Sequence, residues 1–165
     1  MENCLERLKQ YFDEHGVQYD VQHHREVYTA QEVAAEVREK GRYMAKVFIA
    51  SADGKPVMLV LAAPDHVDYE RVQLYLGAEH VERAHEEQFR QWFPDCEVGA
   101  MPPFGNLYKV PVYLDRALSE MEHLTFQAGS HRDTMKIALR DYTRLVAPKV
   151  TRFAITPEPS EPLMA

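Results

Sequence analysis

The feature that most constrains the fold is a pair of apolar segments on either side of a turn signal. Residues 43–50 read YMAKVFIA, residues 56–63 read PVMLVLAA, and Asp53-Gly54 lies between them. Asp-Gly between two strand-like runs is typical of a tight β-hairpin. Because both arms are almost wholly apolar, we expect the hairpin to be covered on both faces.

The remaining patterns mix helices and strands without a regular βαβ alternation. Helical spacing or capping predicts helices near 5–15, from Ala30 after the Thr29 cap, and over 68–77, 85–93 and 141–147. Apolar alternation predicts strands over 17–22, 109–114, 123–128 and 134–139, and Pro111 favours a sheet edge for the second of these. The order predicts an α+β class. One domain is expected over residues 1–150, followed by a Pro-rich tail over 151–165.

Length, charge and cysteine content narrow the class of protein. A chain of 165 residues suits one domain, and a net charge of −7 argues against wrapping nucleic acid over a wide surface. Cys4 and Cys96 are far apart in sequence and form no CxxC pair, so no metal or redox site is expected. The N-terminus lacks a signal-peptide pattern and no apolar run is long enough to cross a membrane. These features predict a reduced, cytoplasmic protein without a membrane partner.

The charge is unevenly distributed along the chain. Residues 65–97 are rich in Asp and Glu, whereas residues 130–152 carry mainly Arg and Lys. A solvated charged surface explains the basic stretch in the simplest way. The alternative is a local seat for phosphates, which would suit a small footprint on the end of a nucleic acid.

Lys46 stands alone as a cation inside an apolar strand. Alternation puts it on one face with Met44 and Phe48, and burying a lone ammonium group is costly. Either the side chain reaches solvent at the strand end, or it lines a pocket where it binds a phosphate or polarises a carbonyl group.

Residues 99–105, GAMPPFG, form the second candidate segment. Two prolines fix φ and make the loop stiff, so its amides can be held in place to bind an anion or a carbonyl oxygen. Met101 and Phe104 would then wall a small apolar pocket. A rigid turn between two elements is the structural alternative. The predicted substrate-binding positions in this segment are Ala100, Met101, Pro102, Pro103, Phe104 and Gly105.

The third candidate is the turn AGSHRD before the last predicted strand. Gly129 breaks the preceding strand, and Ser130 and His131 point to opposite faces, so they do not form a nucleophile–base pair. His131 and Asp133 share a face, and a carboxylate there could orient the imidazole. The alternative is an ordinary polar loop. The other histidines show no metal-ligand spacing.

Together these segments resemble the YbaK / prolyl-tRNA-synthetase-associated editing domain family. The resemblance rests on Lys46 before the hairpin turn, the G-x-x-x-P loop GAMPP, the turn AGSH, and the segment HREVYTAQEVAAEV at 24–37. It implies a single α+β domain with a mixed, mostly antiparallel, barrel-like sheet surrounded by helices. It also implies a deacylase that hydrolyses the ester of a small amino acid on the wrong tRNA, without metal or other cofactor.

The resemblance also assigns roles to residues. Lys46 matches the functional lysine of the family, and residues 99–103 match its substrate-positioning loop. Gly99 and His131 are the other candidate catalytic positions, and Gly129 and Ser130 are expected to bind substrate. The implied partner is the acceptor end of a mischarged tRNA, together with a synthetase in some members. Family branches carry a Gly-Gly-Lys-like or a His-Pro-Asn-like segment where this chain has AGSHRD, so the edited amino acid stays open.

Two other functions fit the same residues. A non-catalytic module could use the pocket for a tRNA end, a nucleotide or an amino-acid-like ligand. A hydrolase of a different small ester could use His131 and Asp133 as a base pair. Release of amino acid from mischarged tRNA distinguishes the deacylase from both.

Overall fold

The computed structural model describes residues 3–157, which form an α+β fold. The helices are α1 Cys4–Glu14, α2 Ala30–Glu36, α3 Tyr69–Leu76, α4 Glu86–Trp92, α5 Arg116–Ser119 and α6 Leu139–Val146. The strands are β1 Tyr19–His23, β2 Ala45–Ala52, β3 Lys55–Ala62, β4 His66–Val67, β5 Val81–Arg83, β6 Val112–Asp115, β7 His123–Gln127, β8 Asp133–Ala138, β9 Lys149–Thr151 and β10 Ala154–Ile155.

The predicted hairpin is confirmed as β2 and β3, at the centre of the largest sheet. Ala52 pairs with Lys55, and Asp53 and Gly54 have φ of 50° and 86°, as a tight turn with two left-handed residues requires. The strand order is β5-β2-β3-β6-β9. Alternate residues of β3 enter two separate apolar clusters, so both faces of the hairpin are covered as expected.

The other strands form two smaller sheets rather than closing a barrel. One has the order β1-β8-β7 and the other pairs β4 with β10, all antiparallel. A parallel bridge between Met44 and Thr125 connects the hairpin to β7. The α+β class and the mostly antiparallel pairing are therefore confirmed, and the barrel-like sheet takes the form of separate, packed sheets.

The prediction of a sheet edge at Pro111 is wrong. Strand β6 lies between β3 and β9 and is parallel to both. Pro111 precedes the strand, and its carbonyl accepts a hydrogen bond from the Met58 amide at 2.9 Å. The missing N–H of proline therefore costs no ladder hydrogen bond within the strand.

Strands β9 and β10 have no clear sequence signal, and a buried carboxylate organises them. Asp115, only 4% exposed, caps α5 and accepts hydrogen bonds from the amides of Phe153 and Ala154 at 3.1 and 3.0 Å. These contacts pack residues up to Ile155 against the domain. The rest of the predicted Pro-rich tail, residues 158–165, lies outside the described residues.

The helix signals are explained by caps and buried stripes. Asn3 caps α1 through the Glu6 amide, and Leu8 and Phe12 on one side of α1 are buried. Thr29 and Glu32 form the predicted capping box of α2. Within residues 3–157, no helix has the length and apolar character that crossing a bilayer demands.

Candidate active site

A cleft of about 550 Å³ brings together parts of the first two candidate segments. Its wall includes Lys46 from β2, Gly99 and Met101 from the GAMPPFG loop, and Gln127 at the end of β7. Residues 28–31 at the start of α2 close another side. The wall is partly apolar and partly polar, which is typical of sites that orient a small ligand.

Lys46 lies half-buried at this cleft, and its amine has a defined partner. The Nζ atom donates a hydrogen bond to the main-chain carbonyl of Asp65. Burial lowers the pKa of Lys46, while the nearby Asp65 carboxylate opposes this shift and Arg83 adds to it. Because an ammonium group has three donors, two remain for a ligand in the cleft.

An ion pair between the buried Asp65 carboxylate and the partly exposed Arg42, which was not predicted from the sequence, positions the carbonyl that binds Lys46. The Asp65 side chain is 1% exposed and accepts a hydrogen bond from Arg42 Nη1 at 2.8 Å. Its backbone amide bonds the Ala62 carbonyl at 2.9 Å. A carboxylate directly after an apolar strand, in the run AAPDH, is the signal that could have indicated it.

The first half of the GAMPPFG loop reaches the cleft. Gly99 is exposed with φ of +85°, a conformation that side chains disfavour. Its amide donates to no acceptor within residues 3–157, whereas the Ala100 amide is already bonded to the Glu97 carbonyl at 3.0 Å. The Gly99 amide is therefore one donor of this loop that a ligand can use.

The second half of the loop is part of the core, not of the cleft wall. Phe104 is fully buried and its ring packs edge-on against Phe12, Phe126 and Tyr142. The Tyr142 hydroxyl donates to the Pro103 carbonyl at 2.7 Å. The expectation that Phe104 walls the pocket is therefore corrected by its packing.

Three more predicted binding positions of this loop pack inside the domain and do not line the cleft. Ala100 and Pro102 are buried beside the cleft but do not line it. Gly105 begins a 3-10 turn, where an added Cβ would lie 2.6 Å from the Val110 carbonyl oxygen. A close backbone contact thus explains the glycine at 105.

His131 packs against the backbone of the GAMPPFG loop. It is 6% exposed, and its Nε2 lies 2.9 Å from the Val98 carbonyl oxygen, so Nε2 carries the proton. The Tyr28 ring stacks at a centroid distance of 4.8 Å, and a Cβ on Gly99 would lie 3.8 Å from His131 Cε1. The imidazole therefore fixes the backbone beside Gly99. Its buried Nδ1 has no partner among the described residues.

The expected His131–Asp133 pair does not form. Asp133 bonds His23 Nδ1 and accepts from the Ser130 hydroxyl at 2.7 Å. The Val98 carbonyl orients the His131 ring, and the carboxylate beside Nε2 is that of Glu97, at 4.0 Å, rather than that of Asp133. This arrangement removes the geometric basis for a hydrolase that uses His131 and Asp133 as a base pair.

Gly129 and Ser130 face a different cavity from Lys46. Both line a second cavity of about 730 Å³ beside the first turn of α1. Gly129 has φ of +95°, and an added Cβ would lie 2.3 Å from Cys4 Cβ. Packing against α1 therefore accounts for this glycine, and the structure does not bring these two positions to the cleft.

The basic residues of the stretch 130–152 are distributed over β8, α6, β9 and the residues next to them. Several of its members have acidic partners within the fold: Arg132 pairs with Glu26, Lys136 with Glu39, and Arg144 with Asp141. The cleft takes its basic side chains from elsewhere, namely Lys46, His66 and Arg83.

The two cysteines are close together despite their separation in sequence. Cys4 Sγ and Cys96 Sγ are 3.6 Å apart, and both thiols are free. The absence of a CxxC pair in the sequence gave no indication of this contact. No periodicity links a helix N-terminus to a loop ninety-two residues later, so only the tertiary fold reveals this contact.

Comparison with known proteins defines the class to which this fold and cleft belong. A family model described as an aminoacyl-tRNA editing domain matches residues 24–145. This range contains Lys46, the GAMPPFG loop and His131. The chain belongs to the aminoacyl-tRNA editing domain family.

Sequence relatives include bacterial proline–tRNA ligases. The chain is 30% identical over 93 residues to that of Streptococcus mutans serotype c, covering 56% of this chain and 15% of the ligase. It is 28% identical over 105 residues to that of Streptococcus pyogenes serotype M5, covering 64% of this chain and 16% of the ligase. The chain thus spans only about a sixth of the length of these relatives.

Solved structures share the fold at low sequence identity. A candidate trans-editing enzyme for prolyl-tRNA synthetase superposes with a TM-score of 0.80 at 16% identity, covering 94% of this chain and 99% of that one. A hypothetical protein superposes with a TM-score of 0.82 at 15% identity, covering 91% and 100%. These likenesses show the fold, and the sequence match to the editing domain shows the family.

Proposed function

We propose that this protein is a trans-editing deacylase that hydrolyses the ester between a small amino acid and the terminal ribose of a mischarged tRNA. The observation that carries the proposal is the convergence of Lys46 and the Gly99 amide on one cleft within an editing-domain fold. The cleft volume of about 550 Å³ is in the usual range for small-molecule sites. A synthetase separates small apolar side chains poorly by binding alone, which is why a second site is useful.

In this proposal each wall of the cleft has its own task. The Gly99 amide binds the ester carbonyl oxygen, where negative charge develops during attack by water. Two N–H groups of Lys46 donate to the sugar-phosphate backbone or the terminal phosphate of the tRNA. The third donates to the main-chain carbonyl of Asp65. The free ribose hydroxyl of the substrate helps to orient the water. Met101 bounds the space for the amino-acid side chain.

The test is a panel of mischarged tRNAs incubated with the wild-type protein and with Lys46→Ala. We expect the wild type to release Ala, Cys or another small amino acid. The lysine variant should lower kcat/KM by about a hundredfold or more, which corresponds to about 2.7 kcal/mol of transition-state stabilisation. Its fold should be retained, because the side chain is half-buried and only its carbonyl contact is lost.

Arg42→Lys serves as the control for Lys46→Ala, because it keeps a cation beside Asp65 and leaves Lys46 in place. If truncating Lys46 leaves turnover unchanged, the proposed role of this lysine is wrong. If no aminoacyl ester in the panel is cleaved while tRNA still binds the cleft, the protein is a binding module rather than a deacylase.

A further inference from the structure

The second cavity contains a cluster of metal-binding side chains that the editing site does not use. The Sγ atoms of Cys4 and Cys96 and a carboxylate oxygen of Asp95 all lie within 4.8 Å of one another. The cavity gives solvent a route to them. We propose that Cys4, Cys96 and Asp95 form a Zn²⁺ site, with water as the fourth ligand.

The spacing of the donor atoms fits a tetrahedral ion. Two thiolates on one zinc, each at about 2.3 Å, are about 3.8 Å apart, and a thiolate and a carboxylate oxygen are about 3.5 Å apart. The observed Sγ–Sγ distance is 3.6 Å, and Cys96 Sγ lies 3.7 Å from Asp95 Oδ1. A disulfide needs the sulfurs at about 2.05 Å, so the two thiols are not bonded to each other and both are available as ligands.

Neighbouring groups orient the carboxylate and balance the charge. The Tyr108 hydroxyl donates to Asp95 Oδ1 at 2.8 Å, and Arg7 Nη1 lies 3.4 Å from Asp95 Oδ2. Arg7 is itself held by the Leu107 carbonyl and by the face of the Tyr108 ring. Two thiolates and a carboxylate exceed the charge of Zn²⁺ by one, and the Arg7 guanidinium compensates for it. Such outer contacts are typical of metal sites.

An ion here would connect the N-terminal helix to the segment that leads into the cleft loop. Cys4 begins α1, and Cys96 lies just before Glu97, whose amide bonds the Gly129 carbonyl at 2.8 Å. The Glu97 carbonyl accepts from the Ala100 amide in turn. The expected role is structural, so zinc should raise stability whether or not the protein is a deacylase. A ligand that binds only the folded state, at a hundred times its Kd, adds about 2.7 kcal/mol.

The experiment uses the full chain, kept reduced and stripped of metal with a chelator. Zn²⁺ is titrated in competition with a chromogenic chelator, and Co²⁺ is added separately as a spectroscopic probe. We expect one Zn²⁺ per chain, a rise in Tm, and a tetrahedral cobalt spectrum with thiolate charge-transfer bands. Cys4→Ser and Cys96→Ser should each weaken binding by about a hundredfold, and Asp95→Asn by about tenfold or more.

Glu14→Gln is the matched control, because it removes an exposed carboxylate from the same helix without touching the cluster. Circular dichroism checks that each variant is folded. Absence of stoichiometric zinc binding by the reduced wild type would overturn the proposal, as would affinity that survives both cysteine substitutions. Closure of a Cys4–Cys96 disulfide with peroxide, without any zinc binding, would also overturn it in favour of a thiol pair.

Discussion

The two halves of the GAMPPFG loop belong to one continuous segment but have different surroundings. Gly99 and Met101 line the cleft, with His131 supporting the backbone beside them. Pro103 and Phe104 are anchored in the core by Tyr142 and a cluster of aromatic rings. The buried half therefore holds the cleft-lining half in place. Damage to the buried half should appear as lost stability, and damage to the cleft-lining half as lost catalysis.

The largest expected effect comes from the buried half. Phe104→Ala should lower the free energy of unfolding by about 3–5 kcal/mol, because it removes a fully buried ring and leaves a cavity. Urea denaturation measures this change, and Leu74→Ala, at a position 81% exposed, is the control with little expected effect. A stable Phe104→Ala protein that has lost deacylation would break the division between the two halves.

The stiffness of this loop could be predicted from its sequence, whereas its packing against the rest of the domain could not. The sequence indicated a fixed backbone in GAMPPFG, because two prolines lie between glycines. It could not tell which face of the loop meets the core, since Met101 and Phe104 are equally apolar. The helices that settle this, α1 and α6, come from opposite ends of the chain.

The same reasoning applies to the fold as a whole. Local signals were sufficient for the hairpin at Asp53-Gly54 and for the cap at Thr29, because both depend on a few neighbouring residues. Strands β9 and β10 depend on Asp115, more than thirty residues away, and escaped prediction. The Cys4–Cys96 contact and the Val98–His131 hydrogen bond are likewise products of tertiary structure alone.

Gly99→Ala tests the cleft-lining half of the loop, and Gly77→Ala is its matched control. Both glycines have positive φ, and an added Cβ meets only ordinary contacts or open space. Each substitution should therefore cost about 1–2 kcal/mol of stability for the left-handed backbone. We expect only Gly99→Ala to lower kcat/KM, by about tenfold or more, since the proposed function uses its amide to bind the ester carbonyl oxygen.

Deacylation rates and urea midpoints for both alanine variants separate these effects. Equal activity in the two variants would show that Gly99 belongs to a turn and nothing more. Phe104→Leu, which keeps an apolar side chain in the core, should impair catalysis less than Gly99→Ala does.

His131 provides a smaller effect, because it acts on the cleft through the Val98 carbonyl. His131→Ala should lower activity by about tenfold or less, below the usual contribution of a general base, and should shift the preference between Cys and Ala esters. His123→Ala, at an exposed histidine, is the control. A loss above about a thousandfold on both esters would identify His131 as the base instead.

The smallest expected effect concerns the contacts of basic side chains with tRNA phosphates. It compares two sets of basic residues. Arg83 lines the cleft beside Lys46, whereas Arg140 and Arg144 lie on α6. Each phosphate contact that is lost should lower the slope of the logarithm of the tRNA-binding constant against the logarithm of the salt concentration by a little under one unit.

If the basic stretch binds phosphates, Arg140→Ala combined with Arg144→Ala lowers this slope. Because Arg144 already pairs with Asp141, we expect a smaller change there than the change from Arg83→Ala alone. Binding of tRNA at several salt concentrations measures both slopes, and a double variant with the larger change would move the contact surface from the cleft mouth to α6.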